Sequence, residues 1–445
     1  MSNILELLVS QRAVNRSRLE RIARWHDGHH PAPYSPSKTD EEFRRRTAER
    51  AKTNVLPRVV TAIAENLSVE GYRSAGTDTQ SAAWAHWRAN DMADHQDMVH
   101  RAALTFGVSY VVVLRTKAGP LIRPYSPLEL TAVYENPAFD RYPLAAMTQH
   151  QHREGHRIVF TEWSVIDTRA VHVYRADGED SVKDARRVRS MPHGLGVCPV
   201  VRFVNQAPYA EHTPPVSEVE ELTNLQDRLN GLYFDKLSAA GLSAWRQRWS
   251  IGVEYPDSEL KLRPGSILDL EAEGGNDASA RVGEFSATDL RPFLDSITQC
   301  YKDIATKSSV PLRVLSPDMV NVGADAVASV ERDLVAKVED RQKSFGTAWG
   351  RVLRLAALAA GDRAAFTDTA SEVVWKDARQ RNFMAITQGL GTLAQLGVPL
   401  SVLVDFIPGL TQEQRTKVIA AGGVQDMAKD LLGGAGVGAD SGADS

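Results

Sequence analysis

The spacing of apolar positions divides the chain near residue 215. Before that point short alternating runs dominate, and after it long runs repeat with a period of about 3.6 residues. At the start, Ile4, Leu5, Leu8 and Val9 share helical spacing, and the loop HDGHHPAPYSPS then interrupts it with prolines and small polar residues. Asn54 is placed to cap a helix running to residue 67, with Val59, Val60, Ile63, Ala64 and Leu67 on one face. Residues 81–106 predict one further helix, with Trp84, Trp87, Met98, Ala102 and Phe106 at helical spacing and Gly107 as its stop. Tyr110 to Leu114 reads as a buried strand. The stretches IRPYSPLELTAVYE, HRIVFTEWSVID, AVHVYRADG and CPVVRFVN continue strand-rich to about residue 205, with turns at Glu154–Gly155 and Asp177–Gly178. Residues 1–215 therefore predict an α+β body.

Beyond Pro214 and Pro215 the period changes. Ser217 and Glu220 have capping-box spacing. Leu222, Leu225, Leu229, Leu232, Tyr233, Leu237 and Ala240 then carry a helix over 216–247, roughly 45 Å long at about 1.5 Å per residue. A compact insert follows at 250–286, with strand-like IGVEY and SILDLEAE and turn-rich EGGNDASA. A second helix spans 287–307, with Leu290, Phe293, Leu294, Ile297, Tyr301 and Ile304 on one face; Pro292 is tolerable only near its first turn. The segment SSVPLRVLSPDMVNVG reads as non-helical.

The clearest element is a helix over 324–360, roughly 55 Å long, striped by Val327, Val330, Leu334, Val338, Phe345, Trp349, Val352 and Ala356. Gly346 and Gly350 inside it permit a bend or a close crossing. Either its own chain or a second copy can cover the stripe; cover from its own chain is the simpler reading. Glu372 to Trp375 reads as a strand. Further helices carry Phe383, Ile386, Leu390 and Leu393, and another starts at Thr411 with Gln414 completing a capping box. The final GGAGVGADSGADS has nothing to bury.

Composition narrows the function. The 445 residues are 24% charged and 43% hydrophobic with a net charge of −4, and a protein that grips DNA tightly normally carries a basic excess. The first 60 residues alone are basic, with 12 Lys and Arg against 7 Asp and Glu. Cys198 and Cys300 form no disulfide or zinc pattern. The N-terminus lacks signal-peptide character, and no stretch approaches the roughly 18 apolar residues of a membrane span.

Catalytic signals are weak. His26, His29 and His30 lie in a polar loop, and His150, His152 and His156 flank a hairpin turn without accompanying carboxylates or thiols, so no metal site is expected. The dipeptide Gly-Lys never occurs, which excludes a Walker-type phosphate loop, and neither Gly-x-Ser-x-Gly nor HExxH appears. Trp245 and Trp249 beside Arg246 and Arg248 fit a base-stacking patch or, more simply, helix-end packing. The expectation is a non-enzymatic protein without cofactor or metal. The alternative is a metal-dependent DNA-processing enzyme using the His150 and His152 region.

Several segments together resemble the portal proteins of long-tailed phages, in the branch common among phages of actinobacteria. They are NVLPRVVTAIAENLSVEGY, the step FGVSYVVV, the approach GVCPVVRFVNQ, NLQDRLNGLYFDKL, RPGSILDL, and above all SSVPLRVLSPDMVNVGADAVASVERDLVAKVEDRQKSFGTAW. The resemblance extends to about residue 425 and rests on many weak matches in order.

It implies a helix-rich α+β portal fold: a wing at 1–215, a first stem helix at 216–249, a clip at 250–286, a second stem helix at 287–307, a tunnel loop at 308–323, a long helix completing the wing at 324–384, a helical crown at 385–431 and a tail at 432–445. It implies a ring of copies, twelve in the family, at the capsid vertex of the virion, assembled in the host cytoplasm. Double-stranded DNA would pass through it, and the packaging terminase, major capsid and scaffold proteins and a head–tail adaptor would be partners, with no membrane involved. The tunnel-loop residues would be Val310, Leu312, Arg313, Val314, Leu315, Met319, Val320 and Asn321, although core packing of a loop fits the apolar ones equally. Glu218, Glu220, Glu221, Asp227 and Asp235 would form an acidic wall of the bore, although a plain solvated helix face fits them equally.

Overall fold

A computed structural model describes residues 2–34, 41–73, 81–178, 182–207, 213–244, 248–251, 267–270, 281–284, 286, 288–316, 324–378, 390–394, 396–407, 414 and 418–419. In chain order the elements are α1 (Ser2–His26), α2 (Glu41–Ala51), α3 (Leu56–Ala64), β1 (Val69–Arg73), α4 (Trp84–Ala89), α5 (Met92–Phe106), β2 (Val108–Thr116), β3 (Gly119–Tyr125), β4 (Leu130–Val133), β5 (Ala145–Glu154), β6 (Arg157–Ile166), β7 (Ala170–Asp177), β8 (Arg186–Pro192) and β9 (Val200–Val204). Then come α6 (Thr223–Ala244), β10 (Arg248–Ile251), β11 (Ile267–Leu270), β12 (Arg281–Glu284), α7 (Arg291–Ser308), α8 (Leu312–Leu315), α9 (Ala324–Ala360) and, after a short helical turn at Arg363–Thr367, β13 (Glu372–Trp375).

The chain forms two compact units: one of residues 1–22, 60–218 and 331–445, the other of 23–59 and 219–330. In the first, β3-β2-β9 make a three-stranded sheet and β4-β5-β6-β7-β8 an antiparallel meander, while β1 pairs with β13. Strand β2 is central and covered on both faces, so Val111, Val112 and Val113 are all buried, as its unbroken apolar run predicts. Strand β6 instead alternates: Thr161, Trp163 and Val165 point inward while Glu162 and Ser164 are half-exposed. Leu5 and Leu8 of α1 pack with Met147, Trp163 and Val165 on the meander. The hairpins turn at Gly155 (φ 60°) and Gly178 (φ 75°), where the dipeptide signals placed them.

The helix expected over 81–106 is broken. Asn90 ends α4, and Asp91 adopts a left-handed φ of 51° before α5 begins. The cause lies in β3: Asn90 donates from Nδ2 to Pro120 O at 3.0 Å and accepts from Ile122 N at 2.9 Å, bonds an unbroken helix could not present. Met98, assigned to the buried face, is 60% exposed. Gly107 does end α5, at φ 87°, and a Cβ there would lie 2.5 Å from Pro215 O, so only glycine fits.

Helix α9 runs over the expected 324–360. Val338, Phe345, Trp349, Val352 and Ala356 are fully buried by their own unit, so this part of the stripe is covered within the chain. The side chains of Val327 and Val330 lie outside the described residues. Gly346 provides the close crossing expected of it: a Cβ there would come within 3.1 Å of Trp375 Nε1 on β13. Phe383, Ile386 and Thr411 fall outside the described residues, and Leu393 is exposed.

In the second unit α6 and α7 pack together, and α2 lies on α6 through Ala48, Ala51 and Phe234. Helix α7 starts at Arg291 rather than 287, which puts Pro292 in the first turn, where its missing N–H costs nothing. Strands β11-β10-β12 form the sheet of the insert, parallel on one side of β10 and antiparallel on the other; the stretch EGGNDASA lies outside the described residues.

Candidate functional site

Ser217 gives its hydroxyl to Thr105 O, and Glu220–Leu222 form a single 3-10 turn before α6 begins at Thr223. Glu218 is 7% exposed. Its Oε2 meets Lys337 Nζ at 2.6 Å, and its Oε1 meets Arg341 Nη2 at 3.2 Å and Asn205 Nδ2 at 3.0 Å. Burial opposes its ionisation, but Lys337, Asn205 and Arg341 hold its pKa below the usual carboxylate value. Glu218 is thus an internal counter-ion of α9 and no part of a solvent-facing acidic wall.

The other acidic candidates belong to the second unit. Glu220 is half-buried, while Glu221, Asp227 and Asp235 are exposed. Glu221 lies 3.5 Å from Lys307 of α7, and Arg228 of α6 pairs with Asp303 of α7 at 3.0 Å. Partial burial raises the pKa of Asp235.

The buried side of α6 carries a polar clamp. Gln226 Oε1 accepts from Val55 N at 3.1 Å, while its Nε2 donates to Thr53 O at 2.7 Å and to Asn230 Oδ1 at 2.9 Å. Asn230 also accepts from Thr53 N at 3.2 Å and donates to His30 Nδ1 at 2.8 Å. The other ring nitrogen of His30 donates to Trp25 O at 2.9 Å, which fixes the neutral tautomer, and burial lowers its pKa. His30 is therefore a buried structural residue, not the member of a solvated loop that its HDGHH setting suggests. Gln226 and Asn230 stand one helical turn apart on an apolar face, and that spacing was the available signal for the clamp.

The tunnel-loop candidates divide. Ser309, at φ 57°, ends α7 and sends the chain into Val310, which is completely buried, so Val310 cannot touch a passing duplex. Pro311 is buried as well. Leu312–Leu315 form α8, a helical turn where a non-helical segment was expected, closed by Ser316 N on Leu312 O at 2.8 Å. Pro311 supplies an extended N-cap (φ −55°, ψ 135°) and accepts from Val314 N at 2.9 Å, so the proline begins the turn rather than breaking it. Leu312, Val314 and Leu315 are half-exposed and Arg313 is exposed; Arg58 Nε reaches Val314 O at 3.4 Å. Met319, Val320 and Asn321 lie outside the described residues.

In the insert, Trp249 stands directly across from Gly283 and covers it: a Cβ on Gly283 would sit 2.5 Å from Trp249 Cζ2. Trp249 therefore packs against its own sheet, as the helix-end packing reading of this cluster expects, while remaining half-exposed. Trp245 and Arg246 lie outside the described residues.

His150 and His152 do share one strand face, with ring centroids 4.6 Å apart, and His152 stacks on Phe160 at 4.1 Å. Among the described residues no group of three or more His, Cys, Asp or Glu could hold a metal ion, and no helix is long and apolar enough to cross a membrane. Cys198 and Cys300 are both buried free thiols.

The family described as phage portal protein, SPP1 Gp6-like, matches residues 5–425. The portal protein of Mycobacterium phage L5 is 26% identical over 336 residues, covering 72% of this chain and 67% of that protein. The portal protein of Mycobacterium phage D29 is 27% identical over 338 residues, with the same coverage. Among solved structures, a chain of the virion of a native gene transfer agent particle aligns over 96% of this chain and 99% of its own length, with a TM-score of 0.46 and 14% identity. Portal proteins are structural components of capsids and not enzymes, which sets the metal-dependent DNA-processing alternative aside. With a match running almost the whole length of the described fold, the chain belongs to the phage portal proteins of the SPP1 Gp6-like family.

Proposed function

We propose that this portal protein forms a closed ring of identical subunits, twelve as in its family, at one vertex of a tailed-phage capsid, and that double-stranded DNA enters and leaves through its bore. The family match over residues 5–425 carries this reading. In it, α6 and α7 are the stem, the sheet β10 to β12 belongs to the clip, α9 crosses the wing, the segment from Leu312 to about residue 323 faces DNA, and the last helices are the crown. A ring needs heterologous contacts that close on themselves. The half-exposed apolar residues along the second half of α6, Leu232, Tyr233 and Leu237 among them, suit such lateral packing.

The charge pattern favours passage over grip. Each phosphate neutralised by a cation would add a salt-dependent well to climb out of at every step. Glu221 just before α6 and Asp227 and Asp235 on it make this exposed side mainly acidic, its exposed Arg228 is already paired with Asp303, and the half-exposed apolar residues of α8 offer steric contact without charge. The terminase motor, a head–tail adaptor and the major capsid and scaffold proteins are the partners this role requires. The protein would be made and assembled in the host cytoplasm and remain in the virion. The test is an infection in which this chain is not made: capsids should then lack packaged DNA and recover it when the chain is supplied in trans. DNA-filled capsids formed without it would overturn the proposal.

A further inference from the structure

The five-stranded meander of the first unit ends in an open edge. Strand β8 stands last in its order, with β7 as its neighbour, and every residue of β8 is exposed. At the other end of the sheet, β4 has Leu130 and Thr131 buried. An edge strand presents a row of N–H and C=O groups that its own sheet leaves unused. Strand β8 is as long as an ordinary strand, so it can carry a partner strand up to Pro192, which has no N–H and ends the ladder.

This edge is basic. Between residues 182 and 192, Lys183, Arg186, Arg187 and Arg189 stand against a single acid, Asp184. The pairing puts Arg186 opposite Arg175 and Arg189 opposite Val173, with Val188 as the extra residue of a bulge. Arg175 and Val173 are two apart on β7, so Arg186 and Arg189 stand on the same face of the sheet. Arg175 is already paired with Glu162 at 3.0 Å. Arg186 and Arg189 have no ion pair among the described residues. Arg187, on the opposite face, and Asp184 have contacts of their own. Val188 and Met191, both exposed, add apolar area beside the two open cations.

We propose that β8 receives an extended, acidic segment of another protein as a further strand of the sheet, with backbone hydrogen bonds along the edge and carboxylates on Arg186 and Arg189. In this mode of recognition the ladder supplies affinity and alternate side chains supply specificity. A second copy of β8 is disfavoured, because it would bring arginines against arginines. DNA is disfavoured, because its phosphates only accept hydrogen bonds and would leave the edge carbonyls unpaired.

The experiment is fluorescence anisotropy of labelled peptides, about ten residues long to span a strand, titrated with the full chain. A peptide alternating Glu and Thr should bind saturably, and one alternating Lys and Thr should not. Methylating the backbone nitrogens of the Glu peptide keeps its charge but removes its ladder donors, and should weaken binding about tenfold. Arg186→Gln combined with Arg189→Gln should also weaken it about tenfold, through the loss of two exposed charge pairs. The methylated peptide needs no variant, so the test stands however the variants fold. Equal binding of the plain and methylated peptides would reduce the edge to a charged surface. Tighter binding of a DNA duplex than of the Glu peptide would assign it to nucleic acid, and a changed oligomeric state in the double variant would assign it to a second copy. Each of these results, like the absence of saturable binding, overturns the proposal.

Discussion

The indole Nε1 of Trp349 donates to Nε2 of His100 at 2.9 Å, at a point in the first unit where both side chains are fully buried. The other ring nitrogen of His100 bonds Leu67 O at 3.2 Å, so the ring is neutral with its proton on Nδ1. Phe345 stacks on it at 5.3 Å and Trp375 lies at 5.7 Å. One imidazole thus ties α5, α9, β13 and the segment before β1 together. Nothing in the local sequence marks it, since its partners lie 33 and 249 residues away.

This arrangement makes stability pH-dependent. Burial takes the pKa of His100 down to about 3, against 6.5 for the ordinary residue. Below pH 6.5 the unfolded chain takes up a proton that the folded chain refuses. The contribution of His100 is therefore complete above pH 6.5 and declines as pH falls toward 3, by about 1.4 kcal/mol per pH unit, then levels off. His30 acts in the same direction in the second unit. Urea unfolding followed by tryptophan fluorescence between pH 7.5 and 4.5 should show a shallower decline for His100→Gln than for wild type. Parallel declines would contradict the buried neutral ring.

Glu218 gives a second contrast. Glu218→Gln leaves Lys337 and Arg341 buried without their shared carboxylate and should cost about 3–5 kcal/mol. Glu221→Gln, at an exposed pair, should change stability by less than about 1 kcal/mol. Denaturant midpoints of the two variants compare them directly, and equal small effects would return Glu218 to a solvated surface.

Individual elements were legible in the sequence because long runs with one apolar stripe announce themselves: α9 falls where its period puts it, and β2 where its run of valines does. What escaped notice depends on distant partners. Asn90 breaks a helix because β3 offers it two bonds, Glu218 looks like a surface acid until α9 brings two cations to it, and β1 finds β13 some 300 residues later.

Gly283→Ala tests the packing of the insert. The added Cβ would meet the rigid Trp249 ring rather than a flexible tip, so the sheet β10 to β12 should lose about 1–3 kcal/mol and become a protease target within 248–284. Trp249→Ala in the same chain should relieve the clash. Unchanged protease resistance in the single variant would show that the ring is free to move away.

Deleting 312–321 removes α8 and the following residues while keeping Val310 and Pro311, which are buried against their own unit. Subunits lacking this segment should assemble as wild type does and package or retain less DNA. Normal packaging by the deletion would remove this segment from the DNA path.

The most direct measurement is electron microscopy of the purified full chain under assembly conditions. Closed rings with a central opening wide enough for a DNA duplex, lined by α6 on its Glu221, Asp227 and Asp235 side, are the predicted result. Particles that remain single subunits, both in the purified sample and when extracted from virions, would contradict it.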